Sequence, residues 1–222
     1  FRSQRGEELG KKSVKNIQGI PIFSAAEMNP FYLSDTEFRI PESSIKHKFY
    51  NNEKIGFNLS FRNRIKAAYI GKRIVIKSII CIFNTDRNNL MQILGIWNSS
   101  LFDWFHMLRY SQFEERRVNR IVDVMNEYPI MLNDKSALPY IVPFLICNPD
   151  CEYLRYINDL LVMELFFAPV LYDSQNDQNC ELRLSKRIIE NYENNEELSN
   201  FNVDIWKWIE MEELRQINVG KP

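Results

Sequence analysis

Glycine is scarce in this sequence and is never spaced for phosphate binding. The seven glycines contain no G-x-G pair, which removes both the dinucleotide fingerprint and the phosphate-cradling loop. Histidine is rarer still. His47 and His106 are the only two, and no H-E-x-x-H or G-x-S-x-G string accompanies them. His106 falls beside an apolar helical stripe, where a structural role is expected. No Glu-x-Lys or Asp-x-Lys string occurs, so a restriction-type nuclease site is not expected. Nothing in the sequence nominates a catalytic residue.

The four cysteines are Cys81, Cys147, Cys151 and Cys180. Only Cys147 and Cys151 lie close, and a zinc site would need two further ligands at suitable spacing. The sequence therefore predicts no metal site and four reduced thiols, as in a cytoplasmic protein. Long apolar runs are also missing. The longest candidate, residues 160–172, contains Glu164 and falls short of the ~18–20 residues of a membrane span. No charged-then-apolar signal segment follows Phe1, and the sequence reads as a piece of a longer polypeptide. The triplets Asn58-Leu59-Ser60 and Asn98-Ser99-Ser100 accordingly read as chance matches to the glycosylation motif.

What is present is a strong charge asymmetry under a net charge of −1. Residues 1–77 carry 15 Lys/Arg against 7 Asp/Glu, residues 78–150 carry 6 against 8, and residues 151–222 carry 7 against 14. A basic front with an acidic tail suggests that one surface meets a polyanion. Charge alone weighs this evenly against ordinary solvated faces.

Hydrophobic periodicity gives the layout. Residues 15–23 are β-like, with Pro21 placing them near an edge or a strand start. Residues 24–36 are irregular, 38–40 form a short strand stopped by Pro41, and 42–53 form an exposed loop or short strand closing at Asn51-Asn52. Ile55, Phe57, Leu59 and Phe61 alternate as in a half-buried strand. A strand at 65–70, a Gly71-Lys72 turn and a β-branched central strand at 73–83 follow. Within residues 88–110, Leu90, Ile93, Leu94, Trp97, Leu101, Trp104, Phe105 and Leu108 recur at steps of three and four. That spacing predicts one amphipathic helix, capped near Thr85 or Asn88. Residues 111–122 are charged and indeterminate. Three prolines in 133–150 suggest a connector with a buried extended piece. Helices are expected around 154–169 and 184–192, with a short one at 203–209. The expected fold is α+β: a curved mixed or antiparallel sheet in the N-terminal half, a core helix at about 88–110 and a helical C-terminal segment.

Asn29-Pro30-Phe31-Tyr32 is a near miss to the Asn-Pro-Pro-Tyr/Phe string with which adenine methyltransferases grip a flipped base. No cofactor-binding βαβ unit precedes it, and a loop with Phe31 and Tyr32 tucked into the core is the plainer reading.

A family resemblance enters at residues 54–130. Lys54-Ile55 opens a strand, Arg64-Ile65-Lys66-Ala67-Ala68-Tyr69 follows, and residues 74–83 match a strand before a helix. Ile93-Leu94-Gly95-Ile96-Trp97-Asn98-Ser99-Ser100-Leu101-Phe102-Asp103-Trp104-Phe105 is similar to an "ILALLNSKLINWYF" helix. Residues 117–122 and then Tyr128-Pro129-Ile130 look like an "IPI" exit. Residues 2–12 resemble, less specifically, the opening of the same kind of domain. In this order these stretches resemble the TaqI-like C-terminal specificity domain, the target recognition domain of type II adenine-specific DNA methyltransferases and fused restriction–modification enzymes. Tyr128 stands where the family has Ile, and the chain after Ile130 departs from the pattern.

The resemblance implies sequence-specific binding of double-stranded DNA by residues 1–135, with residues 136–222 as a helical extension packing on them or on a neighbouring domain. It implies an upstream methyltransferase domain as intramolecular partner. S-adenosylmethionine, with Mg for an endonuclease-fused parent, would be that parent's cofactor, and none is expected in this part. Lysines and arginines would hold phosphates while amides or guanidinium groups read bases. The candidate DNA-binding residues are Arg2, Arg5, Lys11, Lys12, Lys15, Arg39, Lys46, His47, Lys48, Asn51, Asn52, Arg62, Arg64, Lys66, Lys72 and Arg73. Lys46-His47-Lys48 with Asn51 and Asn52 is the best loop for base contact. The alternative is a non-catalytic interaction or structural domain whose basic face meets an acidic protein, or its own acidic tail on another copy. A third reading, a nuclease or methyltransferase in its own right, lacks its motifs.

Overall fold

The computed structural model describes residues 2–7, 14–15, 19–45, 48–58, 66–83, 86–110, 128–172 and 180–218. The fold is α+β. Its strands are β1 (Arg2–Arg5), β2 (Val14–Lys15), β3 (Ile20–Phe23), β4 (Phe38–Ile40), β5 (Ile55–Asn58), β6 (Ala67–Tyr69), β7 (Ile74–Val75) and β8 (Ile79–Phe83). The helices are α1 (Arg87–Trp97), α2 (Ser100–Tyr110), α3 (Leu138–Cys147), α4 (Glu152–Leu171), α5 (Arg183–Glu193) and α6 (Glu196–Asn218).

Two sheets form instead of one. The first runs β1-β8-β5-β6 with every neighbour antiparallel. The second runs β2-β4-β3-β7 and is mixed, because β3 and β7 are parallel. The stretch expected as a single strand over 73–83 therefore divides: β7 joins one sheet, β8 the other, and the turn at Lys77-Ser78 lies between them.

The first sheet is sandwiched, which corrects the half-buried reading of β5. Ile55, Phe57, Ile80 and Ile82 face the helices, while Ile79 and Cys81 face the second sheet with Ile22, Phe23 and Ile40. Successive side chains point to opposite faces, so a strand covered on both sides is buried throughout, as β5 is. Gly56 permits the close approach. A Cβ there would stand 2.7 Å from Ile79 Cγ2.

The helix expected over 88–110 is two helices. Asp86, within the expected stretch, caps α1 by accepting from the Asn88 N–H at 2.9 Å. The chain breaks at Asn98-Ser99 because both side chains take backbone partners. Asn98 Nδ2 donates to Ala67 O at 2.8 Å, and Asn98 Oδ1 accepts from Ala67 N at 3.2 Å, which binds the helix end to β6. Ser99 Oγ then accepts from the Phe102 N–H at 3.2 Å and caps α2.

The proline-rich stretch is also helical. Pro139 falls in the first turn of α3, where a missing N–H costs nothing. Pro143 forfeits one helical bond, but Leu138, Val142, Leu145 and Ile146 share a buried face at helical spacing. α4 runs two residues past Pro169, and the short third helix is in fact the 23-residue α6. One apolar cluster joins β5, β6 and β8 to α1, α3, α4 and α6.

Candidate nucleic-acid interface

The polar candidates sit on two turns that a buried lysine ties together. Residues 48–51 form a 3-10 turn leading into β5. The Gly71-Lys72 turn follows β6, and Gly71 takes the left-handed φ of 58° that it requires. Lys54 is fully buried between them. Its ammonium donates to Tyr50 O at 3.3 Å, Asn52 O at 3.3 Å and Gly71 O at 2.7 Å. Three carbonyls thus replace the water that a lysine would otherwise hold. Burial still pushes its pKa down to about 8.

Both turns are held further from the sides. Tyr50 OH donates to Val75 O at 3.1 Å. Glu53 accepts from Tyr69 OH at 3.1 Å and from Arg87 Nε at 2.9 Å. Burial alone would raise the Glu53 pKa, but the hydrogen bond and charge of Arg87 outweigh it and bring it below the usual value. On this fixed base Asn51, Asn52 and Lys72 are exposed. Two amides, each able to donate and accept, and one ammonium thus stand on neighbouring rigid turns. That set can read base edges and hold a phosphate. It contains no nucleophile paired with a base.

Of the other described basic candidates, Lys48 shares the first of these turns, and Arg2, Arg5, Lys15, Arg39 and Lys66 lie on or beside strands of the two sheets. Arg2 and Arg5 lie on β1 and Lys66 precedes β6, at opposite edges of the first sheet. Three strand spacings separate those edges by about 14 Å. Arg5 is exposed, whereas Lys66 Nζ donates to Met28 O at 3.5 Å. Lys15 and Arg39 lie on paired strands of the second sheet, and Arg39 donates to Gly19 O at 3.0 Å. Lys48 opens the 3-10 turn. Lys11, Lys12, Lys46, His47, Arg62 and Arg64 lie outside the described residues.

Arg73 faces inward. It is 6% exposed and donates from Nε to Gln216 Oε1 at 2.6 Å and from its guanidinium to Ile70 O at 3.1 Å. As a surface contact for a phosphate it is therefore already committed. Burial lowers its pKa from the ordinary arginine value. Glu213 on α6 accepts from the Lys72 backbone N–H. Arg215 bridges Asp35 at 3.1 Å. Arg87 lies 4.2 Å from the centre of the Trp206 ring. The acidic helix α6 is thus latched onto the front of the chain.

Asn29-Pro30-Phe31-Tyr32 turns its third residue into the core. Phe31 is buried at a φ of 73°, its N–H donates to Ala67 O at 2.8 Å, and its carbonyl accepts from Tyr69 N at 3.0 Å. Phe31 thus lies buried where that motif has its second proline, and Tyr32, at the position that would stack on a flipped base, is half-buried. Among the described residues no group of three or more His, Cys, Asp or Glu is placed to hold a metal ion. No described helix is long and apolar enough to cross a membrane. No protein-family model matches this sequence, and neither does any curated protein.

Sequence reasoning singled out Asn51, Asn52 and Lys72 but missed Lys54, Glu213 and Gln216. A lysine at a strand start and a Glu/Gln pair on a charged helix both look solvated in one dimension. The one available signal was that Lys54 begins a run whose other members are apolar.

Proposed function

We propose that this chain is a sequence-reading module for double-stranded DNA. It would be the target recognition part of a type II restriction–modification enzyme whose methyl donor is used elsewhere in the parent protein. The observation that carries the reading is the pair of turns fixed by Lys54, which presents Asn51, Asn52 and Lys72 together. Rigid presentation suits base readout, because an amide must meet its base edge at hydrogen-bond distance. The resemblance to TaqI-like specificity domains supports the same reading. Its described stretches form one packed unit, β5, β6, β8, α1 and α2, closed by the Asn98–Ala67 pair. Lys72 supplies a phosphate contact and the two asparagines supply discrimination. The cofactor and the adenine-flipping step belong to a catalytic domain of the parent.

A fluorescence anisotropy titration of a labelled duplex at two salt concentrations tests this. Binding should weaken steeply as salt rises, because phosphate contacts release counterions. Lys72→Glu should lower the salt slope by about one. Asn51→Ala and Asn52→Ala should relax the sequence preference selected from a random duplex pool, while non-specific affinity stays. Absence of binding at low salt by a folded chain overturns the proposal.

A second reading has one observation in its favour. The Lys72-Arg73 turn is already engaged by Glu213 and Gln216, as expected of an interaction domain whose basic face meets acidic chain. Under that reading the same titration shows no duplex binding.

A further inference from the structure

Helix α4 is apolar on both sides. Its inner side, with Leu161, Val162, Leu165 and Ala168, is buried in the main core. Its outer side carries Tyr153, Tyr156, Leu160, Met163, Phe167 and Val170, each between 37% and 71% exposed. These six recur at steps of 3, 4, 3, 4 and 3, the spacing of a coiled-coil seam. A contiguous apolar stripe left on the surface marks a contact site.

The stripe is also free of charge over most of its length. From Leu160 to Leu171 the only ionisable residue is Glu164. It turns inward and accepts from Ser185 N at 2.9 Å and Ser185 Oγ at 2.7 Å. Helix α6 shows the contrast. It exposes Phe201, Trp208 and Met211, but Asp204 and Lys207 stand among them with side chains 66% and 67% exposed. That face is interrupted by groups that prefer water, and the α4 face from Leu160 to Leu171 is not.

We infer that the outer stripe of α4 is the contact surface between two copies of this chain, packed antiparallel about a two-fold axis between Leu160 and Met163. The spacing reads the same in both directions, so the stripe can meet its own copy residue for residue in an antiparallel two-fold contact. Under that operation Leu160 of one copy meets Met163 of the other, Tyr156 meets Phe167 and Tyr153 meets Val170. At the outer layer a large ring faces a small side chain, so the seam fills evenly. Large side chains of this kind offer ~150–250 Å² each. At the observed exposures the six offer roughly 600 Å² per copy, so a fully sealed pair buries roughly 1,200 Å², at the lower end of stable interfaces. This inference does not depend on the DNA reading.

Sedimentation equilibrium of the whole chain across micromolar concentrations tests it. The expected mass is twice the 26.5 kDa of one chain. The double variant Leu160→Glu, Met163→Glu places four carboxylates at the axis and should weaken dimerisation at least ~100-fold. Far-ultraviolet circular dichroism checks that the variant stays folded. Phe201→Glu with Trp208→Glu, on α6, should leave the dimer intact. With Cys147, Cys151 and Cys180 replaced by serine, a Tyr153→Cys copy mixed with a Val170→Cys copy should form a disulfide between unlike copies. A monomeric wild-type chain overturns the inference. So does a dimer that survives the α4 variant, one that dissolves with the α6 variant, or cross-linking between like copies.

Discussion

Helices α1 and α2 carry one continuous stripe in sequence and meet opposite environments in space. In α1, Leu90, Ile93, Leu94 and Trp97 are fully buried between the first sheet and α3. In α2, Leu101 and Phe105 are half-buried, while Trp104 and Leu108 are 58% and 62% exposed. Periodicity says which residues share a face. It does not say what that face meets. The break at Asn98-Ser99 reorients the second helix, so the stripe's first half enters the core and its second half reaches the surface beside α4.

The sharpest way to break this comparison is at Trp97. The indole is wholly buried and meets the Phe57 ring edge-on at 4.9 Å. Trp97→Ala should destabilise the fold by ~3–5 kcal/mol through lost burial and a residual cavity. Urea unfolding at one fixed protein concentration measures it. Trp97→Phe should lose far less than half as much. The indole N–H is buried and finds no acceptor among the described residues, so phenylalanine removes a desolvated donor along with some contact area. A Trp97→Phe loss as large as that of Trp97→Ala would mean that the ring's shape, rather than its apolar bulk, is what α1 supplies.

The contrast also shows what one dimension can carry. The α+β class, the α1 stripe, β4, the Gly71-Lys72 turn and the helices α4 and α5 follow from local pattern, because burial there tracks periods of two and 3.6. The break at Asn98 does not, since its partner Ala67 lies 31 residues earlier on a strand edge. α3 was hidden by its prolines, which act as breakers only where the N–H is needed. The candidate interface was legible by residue type and illegible by arrangement. Asn51, Asn52 and Lys72 stand out as polar turn residues. Lys54 becomes meaningful only when carbonyls from two turns converge on it. Arg73 had the opposite fate: a basic residue counted toward the surface proves to be buried under α6.

A smaller effect separates the two helices by pH. His106 on α2 is buried, with Nδ1 hydrogen-bonded to Tyr128 OH. Burial lowers its pKa from the ordinary 6.5. Below that value the unfolded chain binds a proton that the folded chain resists. Stability from this site is therefore complete above pH 6.5 and falls as the pH drops through the window beneath it. His106→Gln should flatten that part of the profile, read as the difference between wild-type and variant unfolding midpoints from pH 7 to pH 5. An unchanged difference would mean that His106 titrates as freely as the exposed end of α2 suggests.

The smallest effect belongs to Trp104. It has the size of Trp97 and the same place in the stripe, yet its face is open, and it borders a small apolar cleft of about 110 Å³ with Phe105 and Phe167. More than half of the residue is already in water, so Trp104→Ala should cost ~1 kcal/mol or less. The same substitution in one stripe, seven residues apart, should thus differ at least about threefold in cost. Unfolding Trp104→Ala beside Trp97→Ala in the Leu160→Glu, Met163→Glu background removes any contribution from a second copy. A loss at Trp104 above ~1 kcal/mol in that background would show that the outer half of the stripe is packed within a single chain, and the two helices would no longer stand in contrast.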